Sequence, residues 1–550
     1  MRSWGRLNGW ASRTCLGDPR VRGNHTARES FDQDYSTAWR MHRRIPGTCI
    51  HGGPGLTMDA ADEVIETVHM DLWRSAEEAA RAIRSSTDIV VATHIDADGI
   101  SAGAIASGAL RRLGREHKVL FFKKLDEEAI ESIRAEKPDL VWYTDLGSGS
   151  ISKLGDILTV ISDHHVPEPG HGTDSKNGQA KLFDFSSVIQ VNPQLHGMSG
   201  ANDLSGAGAT FLVALALDKE NIDLAHLAVV GSVGDLQDQK SRRLIGLNRS
   251  IISAAVSAGM LDAFEDLRLF GRETRPVYKM LEYASDPFLP GITGNEQGAI
   301  GFILEHDIEP KEGETWKSWS MLTQSERDKL ISGLREHLRL KGRKMETIQR
   351  LTGEVYVLKK EAGGSPVRDA KEFATLLNAC GRHGSAETGL DICLGDRGDV
   401  LARGLMLLRD HRSALSQAIE YAKSIGIVRL RNIQYFDAGD EIEETIVGTV
   451  AGMLLGDAGS DRTAPMVAFA DSMDSANEIK TKASARGTQD LVARGMDLSV
   501  AIRAAAEKVG GVGGGHNIAA GATIPASRKE DFLKELDTIV EMQLTSKVRP

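Results

Sequence analysis

The chain has 550 residues, room for about three domains, and with 41 % hydrophobic and 26 % charged residues it has the make-up of a globular protein with more than one core. Lys and Arg number 66 against 77 Asp and Glu, a net charge of −11, which excludes a binder coated in positive charge but not a local basic groove. No run approaches the ~18 apolar residues of a membrane span, the start lacks an apolar signal core, and the expected compartment is the cytoplasm. Cys15, Cys49, Cys380 and Cys393 lack zinc-type spacing, so neither a disulfide scaffold nor a structural zinc site is expected.

Residues 1–57 are rich in Arg, contain no Lys and carry Trp4, Trp10 and Trp39 without periodicity. They read as a disordered tail or an over-extended start, with Met58 as initiator. A helical pattern follows through Val64, Val68, Leu72, Ala79 and Ile83. The rhythm then becomes α/β. Strands are expected at Asp88–Thr93, Val119–Phe122, Asp139–Thr144, Ile157–Ser162 and Val188–Val191, with helices at Gly99–Leu113 and Glu127–Ala135. Strands alternating with helices predict a parallel sheet covered on both faces, with chemistry at its carboxyl edge. After about Arg268 the pattern weakens, and Ser325–Leu351 reads as a basic, solvated connector helix. A second α/β domain is expected from about Val355, with a helix at Ala370–Ala379 and strands at Glu443–Val450 and Pro465–Ala470. The glycines of Gly510–Gly515 read as a loop after a helix.

Unusual polar residues fall at the expected strand ends: His94, Asp96 and Asp98 in HIDADG, Asp145 in YTDLG, and Asp163-His164-His165. Asp235 lies in an apolar, helical GSVGDL. Taken singly, an Asp after a strand is more often a helix N-cap than a ligand. Together, carboxylates and imidazoles converging on one sheet edge repel one another unless cations neutralise them. Oxygen ligands mixed with His suit Mn²⁺ or Mg²⁺, and one shared carboxylate can hold two such ions about 3.5–4 Å apart.

In this order the motifs resemble the four signatures of the DHH phosphoesterase superfamily. GGVGGGH at 510–516 is similar to the GGGH loop of its DHH-associated domain, and RDAKEFATLLNACGR at 368–382 to the opening of that domain in archaeal RecJ-like proteins. The resemblance covers about residues 60–545. It implies a two-lobed α/β protein: a parallel-sheet DHH domain over 58–265, a helical connector over 266–354, and a DHH-associated domain over 355–545. It also implies two Mn²⁺ or Mg²⁺ ions. His94 and Asp96 would hold the first, Asp98, His164 and Asp235 the second, and Asp145 both. His165 would contact the scissile phosphate or assist proton transfer, and Asp163 would orient the histidines. No motif acid is missing, unlike in the inert DHH relative of the eukaryotic replicative helicase.

Glycines that bring backbone N–H groups close to an anion make Gly513, Gly514, Gly515 and His516 candidates for phosphate binding. Lys480, Lys482, Ser484 and Arg486 alternate as on a strand, and the family places Ser484 and Arg486 on the nucleic-acid backbone. Ser205–Gly208 reads as support beneath the site. The implied activity is a single-strand-specific exonuclease in DNA replication or repair, acting on DNA or RNA. The alternatives are a short-oligoribonucleotide or cyclic-dinucleotide phosphodiesterase, and a scaffold binding the GINS replication complex.

Overall fold

The helical pattern after Met58 forms two helices, α1 (Met58–Thr67) and α2 (Met70–Ser85), separated where His69 leaves helical geometry at φ −54° and ψ 128°. Leu72, Ala76, Ala79, Ala80 and Ile83 form the buried stripe of α2, at the spacing of one helix face. This computed structural model describes residues 58–169, 187–284, 286–456, 461–473 and 479–545. The expected tail at 1–57, with Cys15 and Cys49, lies outside them; Cys380 and Cys393 are buried free thiols. No helix among the described residues is long and apolar enough to cross a membrane.

Strands β1 (Ile89–His94), β2 (His117–Phe122), β3 (Leu140–Thr144), β4 (Leu158–Ser162) and β5 (Val188–Val191) form a wholly parallel sheet in the order β2-β1-β3-β4-β5. Alternate residues serve opposite faces. Ile89, Val91, Leu140 and Trp142 enter one core; Val90, Ala92, Val141 and Tyr143 enter the other. Helices α3 (Ala97–Arg112), α4 (Gly206–Leu217) and α5 (Ala225–Gly234) pack with α2 on the first face. Because the chain runs from β1 out to β2 and returns to β3 on the other side, the order reverses between β1 and β3. The crevice beyond the carboxyl ends of these two strands is where such sheets bind ligands.

Strand β6 (Leu261–Leu267) pairs antiparallel with β7 (Thr352–Leu358), Leu261 opposite Leu358 and Leu267 opposite Thr352. Between them the chain builds a separate core around Leu281, Leu289, Trp319 and Leu351. The expected solvated connector is instead an amphipathic helix, Gln324–Leu340, that buries Leu330, Leu334 and Leu338 in this core.

Helix α6 (Ala370–Arg382) was expected to open the C-terminal domain, but Phe373, Leu376, Leu377 and Cys380 pack into the first core. The long α7 (Asp399–Ile425) then joins the two lobes, with Leu408 in the first core and Ala418 and Ala422 against the C-terminal sheet. That sheet comprises β8 (Val428–Arg429), β9 (Gln434–Asp437), β10 (Met466–Met473), β11 (Ile479–Arg486), β12 (Val512–Gly515) and β13 (Ala519–Pro525), in the order β8-β9-β10-β11-β13-β12. Its faces are covered by α8 (Val447–Gly456) and α9 (Leu498–Lys508). Two expectations are corrected here. Glu443–Val450 is not a strand, because Val447, Val450, Ala451, Leu454 and Leu455 bury one face of α8 at helical spacing. The glycine cluster is not a loop but the edge strand β12, with Gly513, Gly514 and Gly515 opposite Ala522, Gly521 and Ala520 of β13.

A buried polar joint ties the middle domain to α6. Arg272 donates to Asp266 at 2.5 Å and to Asp369 at 3.0 Å, and Trp319 Nε1 donates to Asp266 at 3.0 Å. Beside them Glu372 accepts from the Glu273 amide at 2.8 Å and from the Thr274 hydroxyl. Burial, reinforced by Asp369, pushes the Glu372 carboxyl up from 4.5 to about 7. The folded state therefore holds this proton where the unfolded chain releases it, and stability falls as pH rises from 4.5 to about 7. Wild type should lose on the order of 3 kcal/mol relative to Glu372→Gln across that window, with no further divergence above it. Denaturant midpoints of both proteins at pH 5 and pH 8 measure the effect.

Candidate metal centre

The carboxyl ends of β1 and β3 deliver the first acidic groups. His94 closes β1, and Asp96 caps α3, its side chain accepting from the Gly99 amide at 3.0 Å. A Cβ at Gly99 would collide with the His94 carbonyl, so HIDADG needs glycine for this turn to close on its strand. Asp98, in the first turn of α3, is buried and accepts from the amides of Gly206 at 2.7 Å and Ala207 at 3.1 Å, the N-terminal end of α4. Asp145 follows β3 with φ +60°, a left-handed conformation that Asp tolerates better than most residues, and its carboxylate is 1 % exposed.

Asp163 is fully buried and its oxygens are already engaged. Oδ1 accepts from the amides of His164 at 2.7 Å and His165 at 3.2 Å and from His165 Nδ1 at 2.8 Å; Oδ2 accepts from the Ser148 amide at 3.0 Å. His164 Nδ1 donates to the Gly200 carbonyl at 2.6 Å, so its lone pair is on Nε2 when the ring is neutral. Nε2 faces Asp145 Oδ1 at 3.3 Å and Asp98 Oδ2 at 3.8 Å. Asp235 follows the last turn of α5, where a carboxylate meets the negative end of the helix dipole. Gln237 steadies it, donating through Nε2 to Asp235 Oδ2 at 3.1 Å and to Gly200 O at 2.9 Å.

Among the described residues three groups of ligand atoms result here, each within 4.8 Å: His94, Asp96 and Asp145; Asp98, His164 and Asp235; and Asp145, Asp163, His164 and His165, of which Asp163 is already engaged. Asp145 joins the first two. Its Oδ2 lies 3.6 Å from His94 Nδ1 while its Oδ1 points to His164, buried and without a well-formed hydrogen bond.

The protonation behaviour follows from crowded negative charge. Burial, with Asp145, Asp235 and Asp96 nearby, raises Asp98; burial with Asp145 and Asp96 raises Asp235 to about 6. Burial opposes charge on His94 and His164, yet Asp96 beside the first and Asp145 beside the second outweigh it and raise both. His165 rises against burial to about 9 through Asp163. The cluster therefore retains protons where divalent cations would satisfy the same charge. Its hard oxygen and imidazole donors, with no thiolate, suit Mn²⁺ or Mg²⁺.

From the C-terminal lobe, β11 carries Ser484 and Arg486, and β12 ends at Gly515 beside His516. Arg486 lies over the start of α8, where a Cβ at Gly448 would strike its guanidinium. Desolvation and the charges of His165 and His164 lower His516, placing it within electrostatic reach of the histidine pair. Burial lowers Lys482, with Lys124, Arg486 and Lys123 adding to it and Glu444 opposing it, and Lys123 of the first lobe pairs with Glu444 of the second at 3.5 Å.

Sequence reading named Arg382 only as the end of a motif. This side chain lies within the electrostatic reach of both Asp96 and Arg486. Asn378, one turn earlier on α6, accepts from the Ala97 amide at 3.0 Å, and a Cβ at Gly381 would strike the Ile95 carbonyl. The signal was a glycine inside an otherwise strong helix pattern, a mark of close backbone approach.

Residues 269–352 match the DHH-CID domain model and residues 430–542 the DHHA1 domain model. An uncharacterised protein of Methanocaldococcus jannaschii is 30 % identical over 486 residues, 86 % of this chain and 99 % of that one. The chain belongs to the DHH phosphoesterase superfamily. Its fold is that of the RecJ-like members. Manganese-bound RecJ from Thermus thermophilus superposes with a TM-score of 0.50 at 17 % identity, covering 89 % of this chain. The match spans 56 % of that longer RecJ chain. CDC45 from Entamoeba histolytica gives a TM-score of 0.54 at 12 % identity, over 88 % of this DHH protein and 99 % of CDC45.

Gly206 has no room for a side chain, because a Cβ there would overlap the Asp145 carboxylate. Gly206→Ala should weaken Mn²⁺ binding about tenfold or more while the circular dichroism spectrum stays that of wild type; titration calorimetry reads the affinity.

Proposed function

We propose that this DHH protein is a metal-dependent phosphodiesterase acting as a single-strand-specific exonuclease. The observation that carries the reading is Asp145, a buried carboxylate with one oxygen turned to each of two ligand groups. In this reading His94 and Asp96 hold one ion, Asp98, His164 and Asp235 a second, and Asp145 both. The ions, Mn²⁺ or Mg²⁺, would polarise the phosphate and activate the attacking water.

The protein's own groups then have separable tasks. Asp163 holds the His165 ring by Nδ1, leaving its other nitrogen to meet the scissile phosphate or move a proton. His516 and the outward edge of β12 at Gly513, Gly514 and Gly515 would bind the neighbouring phosphate. Ser484, Arg486 and Arg382 grip the strand farther along. Phosphate contacts of this kind select charge and backbone path rather than base, which suits a nuclease that digests any sequence. The partners are single-stranded DNA or RNA and, by resemblance alone, the GINS replication complex; the setting is cytoplasmic.

Asp145→Ala should abolish hydrolysis of end-labelled single strands in Mn²⁺ buffer with the fold intact. Wild-type rates in that variant would refute the bridging role. Arg486→Ala should raise KM about tenfold on long strands with a smaller change in kcat. Dinucleotides turned over faster than long strands would transfer the assignment to a short-oligonucleotide phosphodiesterase.

A further inference from the structure

Outside the centre described above, His69, Asp71 and His196 each present a ligand atom, all within 4.8 Å of one another. The first two belong to the start of α2 and the third to a single 3-10 turn, Pro193–His196, remote in sequence. The donors are otherwise little used. The His69 side chain makes no cap hydrogen bond to its helix, and His196 Nε2 is buried with no hydrogen-bond partner. Asp71 pairs with Arg74 at 3.2 Å, but both side chains are more than half exposed, at 57 % and 67 %, so the pair is weak and replaceable. The imidazole rings lie 5.5 Å apart, and burial together with the neighbouring His69 lowers His196.

We propose that His69, Asp71 and His196 form a zinc site distinct from the DHH centre, completed by water. Two imidazoles and one carboxylate with an open fourth position are a zinc donor set, and imidazole favours zinc over Mn²⁺ or Mg²⁺. Tetrahedral coordination at about 2 Å requires ligand atoms about 3.3 Å apart, which small rotations of the exposed His69 and Asp71 side chains supply.

The site would also act on the DHH centre, because the segment bearing His196 holds the histidine pair. Asn192 Nδ2 donates to the His165 carbonyl at 2.9 Å, Gln194 Nε2 donates to the His164 carbonyl at 2.6 Å, and the Gly200 carbonyl accepts from His164 Nδ1 at 2.6 Å. Zinc bound to His196 would pin this segment to α2 and steady the ring of His164 from behind.

The test counts zinc retained by the chelator-stripped full chain after dialysis against micromolar Zn²⁺. Wild type is compared with His69→Gln, His196→Gln and the double variant, each also in an Asp145→Asn background. One equivalent should disappear in either single variant, no further one in the double, and the loss should persist with Asp145→Asn. Equal counts in wild type and His69→Gln overturn the site, and since His69 is exposed this comparison stands even if His196→Gln fails to fold. A His69-dependent equivalent that vanishes with Asp145→Asn also overturns it, because that zinc belongs to the DHH centre. Zinc should slow amide exchange over residues 194–200 about tenfold in wild type and not in His69→Gln. Unchanged exchange in zinc-loaded wild type refutes the clamp.

Discussion

Carboxylates crowded beyond the strands β1 and β3 are the constraint around which this molecule is arranged. Asp98 and Asp145 are almost wholly out of water, and Asp235 sits at the unfavourable end of a helix. Left alone, such groups repel one another and resist ionisation, which is the direction in which Asp98 and Asp235 move. The backbone supplies part of the compensation. The start of α4 donates two amides to Asp98, and Asp163 is saturated by amides and by His165. What the backbone leaves unsatisfied, notably Asp145 Oδ1, is the charge that cations would take up.

That concentration of charge requires backbones to approach one another closely. Gly206 lies against Asp145, Gly231 against Asp98 and Gly381 against the carbonyl of Ile95, each where a Cβ would collide. Three separate segments are thus pressed onto the loops that carry the acids. The last belongs to a helix that arrives only after the whole middle domain has been threaded. The geometry of the centre consequently depends on tertiary packing from residues some 280 positions away, as the Asn378 bond to the Ala97 amide illustrates.

The acids and histidines were legible because strand ends in a parallel sheet are predictable from short apolar runs, and an unusual residue there stands out. Val188–Val191 was read to the residue, as was the helix Glu127–Ala135. Other parts were harder for definite reasons. The approach to α8 is rich in the β-branched residues Thr445, Ile446, Val447, Thr449 and Val450, which favour strands, and only the spacing from Val447 onward betrays the helix. Glycines are poor strand formers, so β12 exists because β13 offers a ladder to pair with, which no local pattern reveals. The middle domain eluded motif reading because its identity resides in a core of Leu, Ile and Trp with no chemistry to mark it. The role of α6 was hidden likewise, since its partner surface belongs to another lobe.

Strands β6 and β7 lie side by side, so the chain leaves the first lobe and re-enters it at almost the same point. An excursion with adjoining ends is a graft point: it can lengthen, shrink or be exchanged over evolution without shifting the sheet that bears the acids. The Arg272 ion pairs at its root act in the opposite sense, holding whatever is grafted at a set angle to α6. Diversity among relatives should accordingly accumulate in this appendage, as changes of tool on an unchanged handle.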